Sequence, residues 1–258
     1  MQDIWGKVQL AEGEIHYFEV GDLHLWCTYS DQEVWLASAY SSELPDNISE
    51  EHPPDEVSWS RWATRNNANK IEIQPVFPDL SLVVNSEYAL KVSPDTQIEI
   101  FARIPIWIRI SIAENDYQLT ELPTVLLSRT WFGTFTEGEL CYYATTKARR
   151  TLAGIDKKPY LVSCPITISN KSATVLDFED FCFRVERLGM YKYEEELWAD
   201  ETKIIFHGEE SNSDVIMTGK LPQGIKSEQA VATPRKKIQK SLATRTFKRL
   251  IEDTFTLS

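Results

Sequence analysis

The densest run of side chains able to do chemistry is Arg129-Thr130-Trp131-Phe132-Gly133-Thr134-Phe135-Thr136-Glu137-Gly138-Glu139-Leu140-Cys141-Tyr142-Tyr143. Glu137 and Glu139 share parity, so both carboxylates project from one face if a strand has begun by residue 137. Two carboxylates on one face can hold a divalent cation, or act as acid and base in glycoside hydrolysis. Same-face neighbours on a strand lie roughly 7 Å apart, between the retaining and inverting separations, so spacing does not choose between these chemistries. Trp131 and Phe132 are placed to stack on a sugar ring beside them. The structural alternative is the favoured one: Gly133 and Gly138 make a tight loop, Trp131 plugs the core, and the glutamates cap backbone N–H groups. We carry Trp131, Phe132, Glu137 and Glu139 forward as candidate binding residues.

A second pairing comes from a hairpin. Ile15 to Thr28 reads as two strands joined at Gly21-Asp22, where Gly supplies a positive φ. Pairing Val20 with Leu23 places His16 opposite Cys27, on the face of Phe18, Val20, Leu23 and Leu25. A His–Cys pair is half of a zinc site or half of a nucleophilic dyad. No third ligand or orienting acid follows from the sequence, so a core histidine beside a core thiol is the expectation. Cys27, Cys141, Cys164 and Cys182 form no C-x-x-C pair, and His16, His24, His52 and His207 show no ligand spacing. All four cysteines sit in apolar contexts and are expected to be buried free thiols. No catalytic residue, metal site or cofactor is assigned.

The elements that must position these residues are β almost throughout. Ile98, Ile100, Ile104, Ile106, Ile108, Ile110 and Ile112 fall on one parity, a period of two that marks a half-buried strand. Pro105 lacks an N–H and should mark an edge, a bulge or a break within that run. Tyr160 to Ile168 repeats the pattern, and Phe181, Phe183 and Val185 alternate with Arg184 and Glu186. Polar turns such as Ser93-Pro94-Asp95 and Asn170-Lys171-Ser172 separate the runs. We therefore expect an all-β chain built on an antiparallel β-sandwich of immunoglobulin-like or jelly-roll-like type.

Residues 1–78 read as an N-terminal β subdomain. It holds the first hairpin, a strand near Val34 to Ala39, and a second hairpin from Val57-Ser58-Trp59 to Ile71-Glu72-Ile73. Ser41 to Asp55 is an acidic, proline-bearing loop. Five of eight tryptophans lie in the first 62 residues; buried, they form the core of a small unit, and exposed together, a stacking platform. Residues 79–222 carry the sandwich, and Leu221 to Pro234 reads as a linker. Residues 223–258 then form linker and helix. Arg235 to Ile251 holds seven basic and no acidic residues, with Ile238, Leu242 and Leu250 on one helical face. It is expected to be a basic amphipathic helix that docks through Lys236, Lys240 and Arg245.

Composition narrows the function. Against 39 acidic residues stand 27 basic ones, a net charge of −12 over 258 residues, which argues against nucleic-acid binding by the body of the protein. No apolar run reaches the ~18 residues of a membrane span, and Met1-Gln2-Asp3-Ile4-Trp5 starts no signal peptide. Neither G-x-G-x-x-G nor G-x-x-x-x-G-K occurs, which removes the usual nucleotide sites.

The run 129–143, with Pro105-Ile106-Trp107-Ile108, Leu122-Pro123-Thr124, Cys164-Pro165-Ile166, Asn170-Lys171-Ser172 and Leu197-Trp198, resembles an uncharacterised prokaryotic family, the domain of unknown function numbered 432. The resemblance covers about residues 75–207 well and the N-terminal part weakly. The family has no established activity to transfer. Its genes often neighbour small-conductance mechanosensitive channels, which points to a membrane channel as partner. The expectation is a non-enzymatic binding or regulatory protein acting on another protein, in the cytoplasm or peripheral to the inner membrane, with self-association of a basic tail on an acidic body in view. The alternatives are a carbohydrate-binding or glycosidase-like protein using the Trp131–Glu139 loop, and a peripheral regulator of a membrane channel.

Overall fold

The computed structural model describes residues 4–45, 47–65, 68–209, 211–221, 229–237, 242–244 and 246–247. Regular structure among them is β, apart from two single turns of 3-10 helix at Ser41–Glu43 and Val185–Arg187. No helix among the described residues is long and apolar enough to cross a membrane. The chain forms two units, one of residues 1–78 with 105–126, the other of residues 79–104 with 127–258.

The first unit holds β1 (Gly6–Gln9), β2 (His16–Val20), β3 (Leu23–Ser30), β4 (Glu33–Tyr40), β5 (Ser60–Ala63) and β6 (Lys70–Val76). In the second, β7 (Leu82–Val92) is followed by β8 (Gln97–Pro105). The chain then returns to the first unit for β9 (Trp107–Ile112) and β10 (Tyr117–Pro123). Two antiparallel sheets result, ordered β1-β6-β9-β10 and β2-β3-β4-β5. The isoleucine parity holds on both sides of Pro105: Ile100, Ile104, Ile106, Ile108, Ile110 and Ile112 are all buried. Pro105 ends β8, and the run divides between the two units there, a break that the missing N–H of proline accommodates. The first hairpin forms in the expected register, Val20 with Leu23 and His16 with Cys27. Gly21 has φ +68°, and a Cβ there would stand 2.6 Å from the Thr124 carbonyl oxygen. Both the turn and the close approach exclude a side chain.

The expected second hairpin does not form. Residues 60–63 pair with β4 as β5, whereas β6 pairs with β1 and β9 in the other sheet. Propensity marks both segments as strands but carries no information on which edge each will find. Around Trp26, Ala37 and Ala39, all buried, pack Ile15, Tyr17, Leu44, Ile48, Val57 and Trp59. Aromatic bulk thus builds the core of this small sheet, as the tryptophan concentration suggested.

The second unit adds β11 (Arg129–Gly133), β12 (Gly138–Ala148), β13 (Leu161–Asn170), β14 (Leu176–Phe183), β15 (Met190–Tyr193), β16 (Glu196–Ala199), β17 (Thr202–Phe206) and β18 (Ser213–Met217). It ends with β19 (Gln229–Ala232) and β20 (Leu242–Thr244). One sheet runs β11-β12-β7-β14; the other runs β19-β15-β16-β13-β17-β18-β20, with β8 on β13. Among the described residues β12 runs parallel to β7, and β13 runs parallel to β16 and β17. The sheets are therefore mixed rather than purely antiparallel.

Two features of the second unit correct the sequence reading. The C-terminal basic helix is absent from the described residues. Instead β20 pairs antiparallel with β18, and Phe247 makes a β-bridge to Phe181. The Cys182 N–H donates to the Thr246 carbonyl at 2.8 Å, and the Phe247 ring packs 4.8 Å from Phe178 and 5.8 Å from Phe206. Free backbone groups at a sheet edge, two β-branched threonines and an aromatic pocket outweigh a thin helical stripe. Within the expected linker, β19 pairs with β15. The second correction concerns Arg184 and Glu186. Their parity opposes the buried Phe183 and Val185, yet both are themselves buried. Ion pairing explains this, as the site geometry shows.

Candidate functional site

The site grows from the β11–β12 hairpin. Gly133 faces Gly138 across the ladder and closes a loop of residues 134–137. Gly133 has φ +111°, and a Cβ on Gly138 would collide with the Trp131 ring, which lies across it. Trp131 Nε1 donates to the Thr134 carbonyl at 2.9 Å, and the Glu137 N–H donates to Thr134 Oγ1 at 3.1 Å. The tight glycine loop is thus present, but Trp131 does not plug a core: it is 53% exposed, and Phe135 at the tip is 96% exposed. Leu140, directly opposite Trp131 in the ladder, is also exposed.

The two glutamates part company. β12 begins at Gly138, so Glu137 lies in the exposed turn. Glu139 pairs across the ladder with Phe132 and shares the face of Phe132 and Cys141, opposite to Trp131 and Leu140. Phe132 is buried there with Val83, Cys141 and Cys182. Trp131 and Phe132 therefore face opposite sides, and the structure does not bring the four candidate residues together.

Glu139 is met by Arg184, which sequence parity would have placed in solvent. Arg184 Nη2 lies 2.5 Å from Glu139 Oε1, with the guanidinium only 4% exposed and the carboxylate side chain 41% exposed. The same Nη2 donates to Thr244 Oγ1 at 2.7 Å, and Nη1 donates to the Cys182 carbonyl at 3.3 Å. Ser81 Oγ donates to Glu139 Oε2 at 3.3 Å and reaches Glu186 Oε2 at 3.4 Å. Buried Glu186 is met in turn by Lys236 Nζ at 3.5 Å and Arg187 Nε at 3.8 Å. Buried charges survive because each has an opposite charge and hydrogen bonds at hand. Lys236 is thus engaged within its own unit, while Lys240 and Arg245 lie outside the described residues.

Beside this network the thiols of Cys141 and Cys182 stand 3.8 Å apart, and the Cys182 thiol donates to Glu139 Oε1 at 3.6 Å. The contact with Cys141 and burial push the Cys182 thiol far up, against the pull of Arg184. Among the described residues, Glu139, Cys141 and Cys182 are the one set of three ligand-bearing groups close enough to share a metal ion, their ligand atoms all within 4.8 Å of one another. Sequence reasoning missed this set because Cys141 and Cys182 are 41 residues apart. Their shared apolar context, common to any core thiol, was the one signal.

His16 and Cys27 meet as expected, but no third ligand-bearing group joins them among the described residues. Burial drives the Cys27 thiol well above its ordinary range. That is the environment of a core thiol rather than a nucleophile. All four cysteines are buried and free. Elsewhere in the first unit an open cleft of about 520 Å³ is lined by Trp35, Trp59, His52, Pro53, Asp55 and Thr28, among others. The two indole rings meet edge to face at 6.1 Å, and the Arg61 guanidinium stacks 3.8 Å over Trp35. The tryptophan concentration was the signal for this cleft, though Trp26 is fully buried and lines none of it.

Comparison with curated proteins and with solved structures finds no match for this chain. A family model described as "Protein of unknown function (DUF432)" matches residues 4–252. That span includes the hairpin, both cysteines of the cluster and Arg184, so the chain belongs to the DUF432 family of proteins of unknown function.

Proposed function

We propose that this protein is a non-enzymatic binding or regulatory module that acts on another protein through the tip of the β11–β12 hairpin. The observation that carries this reading is the exposure of Phe135 and Trp131 on a loop braced by its own hydrogen bonds. Exposed aromatics on a preorganised turn are the side chains that dominate protein interfaces, because they bury large areas at little entropic cost. We read the two sheets of the second unit as the layers of a β-sandwich that holds the hairpin, with a cytoplasmic or membrane-peripheral location. The glycosidase alternative draws no support from the hairpin: Glu139 is engaged by Arg184 on the face opposite Trp131, and Glu137 lies in the turn.

The first partner to test is the small-conductance mechanosensitive channel suggested by the family resemblance. The purified full chain is titrated onto the detergent-solubilised channel, and the titration is repeated with Phe135→Ala and Trp131→Ala. Phe135 is almost wholly exposed, so its substitution should change unfolding stability by less than about 0.5 kcal/mol. It should weaken binding at least about tenfold, or ~1.4 kcal/mol. Unchanged affinity in both variants rejects the hairpin as the contact, and no binding by the unaltered chain rejects the channel as partner.

A further inference from the structure

We propose that Glu139, Cys141 and Cys182 form a binding site for a borderline-soft divalent cation, zinc, independently of the hairpin's proposed docking role. Zinc binds thiolate at about 2.3 Å and carboxylate oxygen at about 2.0 Å, so a tetrahedral centre sets sulfur–sulfur and sulfur–oxygen edges of about 3.8 and 3.5 Å. The protein holds the two sulfurs 3.8 Å apart and Cys182 Sγ 3.6 Å from Glu139 Oε1. Two edges of a zinc tetrahedron are thus already set by side chains from two strands, and the third, from Cys141 to the Glu139 carboxylate, is within 4.8 Å and closes by a small turn of the carboxylate.

The same geometry argues against a disulfide as the purpose of the pair. Cys141 lies on β12 and Cys182 on β14, and both strands flank β7. Two interstrand steps separate backbones by roughly 9.5 Å. A disulfide needs Cα atoms within about 7 Å, so the backbone would have to move. A metal ion bridges that gap without movement, because it adds two metal–sulfur bonds to the span.

Charge also balances. With both thiols protonated, the Glu139 carboxylate is offset by Arg184. Binding releases two thiol protons and brings in one dication, so two thiolates, one carboxylate, Zn²⁺ and the guanidinium again sum to zero. The two states of the cluster thus place the same net charge in the protein, and Arg184 serves both. Ser81, hydrogen-bonded to Glu139 Oε2, orients the carboxylate as outer-shell partners of metal ligands do. Three protein ligands leave a fourth position for water, and the part-exposed Glu139 marks the solvent side from which the ion enters.

The test uses the full chain, reduced, stripped with a chelator and then titrated with Zn²⁺ or Co²⁺ under argon. One equivalent of metal should bind. The Co²⁺ form should show tetrahedral d–d bands and a thiolate-to-metal charge-transfer band with the intensity of two thiolates. That spectrum counts the ligands in the unaltered chain, so the result stands even if a variant folds poorly. Cys141→Ser and Cys182→Ser should each halve the charge-transfer band or abolish binding, and Glu139→Gln should weaken affinity at least about tenfold. Cys27→Ser and Cys164→Ser should leave both readouts unchanged. The proposal is overturned if the unaltered chain binds no stoichiometric metal, if its Co²⁺ spectrum lacks thiolate charge transfer, or if Cys141→Ser/Cys182→Ser binds as tightly.

Discussion

Two thiol sites in this molecule have similar parts and different logic. His16 and Cys27 face each other across one hairpin, eleven residues apart, and were placed there by the Gly21 turn and the alternation of two short strands. Cys141, Cys182, Glu139 and Arg184 come from strands flanking β7 and from the chain just past β14. The local pair is simple packing, with a buried thiol and no third ligand-bearing group among the described residues. The non-local set is charged, accepts a hydrogen bond from Ser81, donates one through Arg184 to Thr244, and brings three ligand-bearing groups within 4.8 Å of one another. Local register can juxtapose two side chains, but a site with three ligands and a compensating charge needs several strands to converge.

The sharpest way to break this contrast is Glu139→Ala, measured by urea unfolding in the presence of a chelator. It removes the carboxylate 2.5 Å from the buried Arg184 guanidinium, which keeps its bonds to Thr244 and the Cys182 carbonyl, so we expect a loss of about 2–3 kcal/mol. Cys27→Ser replaces a buried thiol with a hydroxyl that has no hydrogen-bond partner in view, and should cost about 1–2 kcal/mol under the same conditions. If Glu139→Ala costs no more than Cys27→Ser, the charged cluster is no more consequential than ordinary core packing.

Asp200 is a buried carboxylate of another kind, met by no cation among the described residues. Burial raises the Asp200 carboxyl above its ordinary range, although the Gly189 N–H donates to its Oδ2 at 2.8 Å and pulls the other way. A folded-state value above the unfolded one means the folded protein holds its proton longer. The contribution of Asp200 is therefore fully present below the unfolded value and is lost as pH rises through the folded one. Asp200→Asn removes that loss, so above the ordinary carboxylate range the slope of stability against pH should be more positive for the variant than for the unaltered chain. An equally steep profile would show that Asp200 is not the group being titrated.

Much of the fold was legible from residues 6–40 and 97–112. The Gly21-Asp22 turn set the register of β2 and β3, and the isoleucine period carried through Pro105 to both β8 and β9. The tight loop at Gly133 and Gly138 was legible too. Partner choice was not: β5 and β6 were read as one hairpin and joined different sheets. Nor was the fate of the C-terminal segment, where helical spacing of Ile238, Leu242 and Leu250 competed with an open edge at β18 that no local pattern announces. At the candidate site, Glu139 was named for its neighbour Glu137, and its actual partners lie 45 residues away at Arg184 and 43 away at Cys182.

By itself, then, the amino-acid sequence determined an acidic, all-β chain, its local turns, its alternating core positions and its buried cysteines. Each of these follows from interactions within a few residues, where side-chain size, parity and φ preference decide the outcome. Only the tertiary structure decided which strands met, that Leu242–Thr244 pair with β18 and Thr246 and Phe247 reach β14, and that Arg184 and Glu186 are buried. Those outcomes depend on unpaired sheet edges and opposite charges brought together from distant segments. Their free energy exists only once the intervening strands have folded around them.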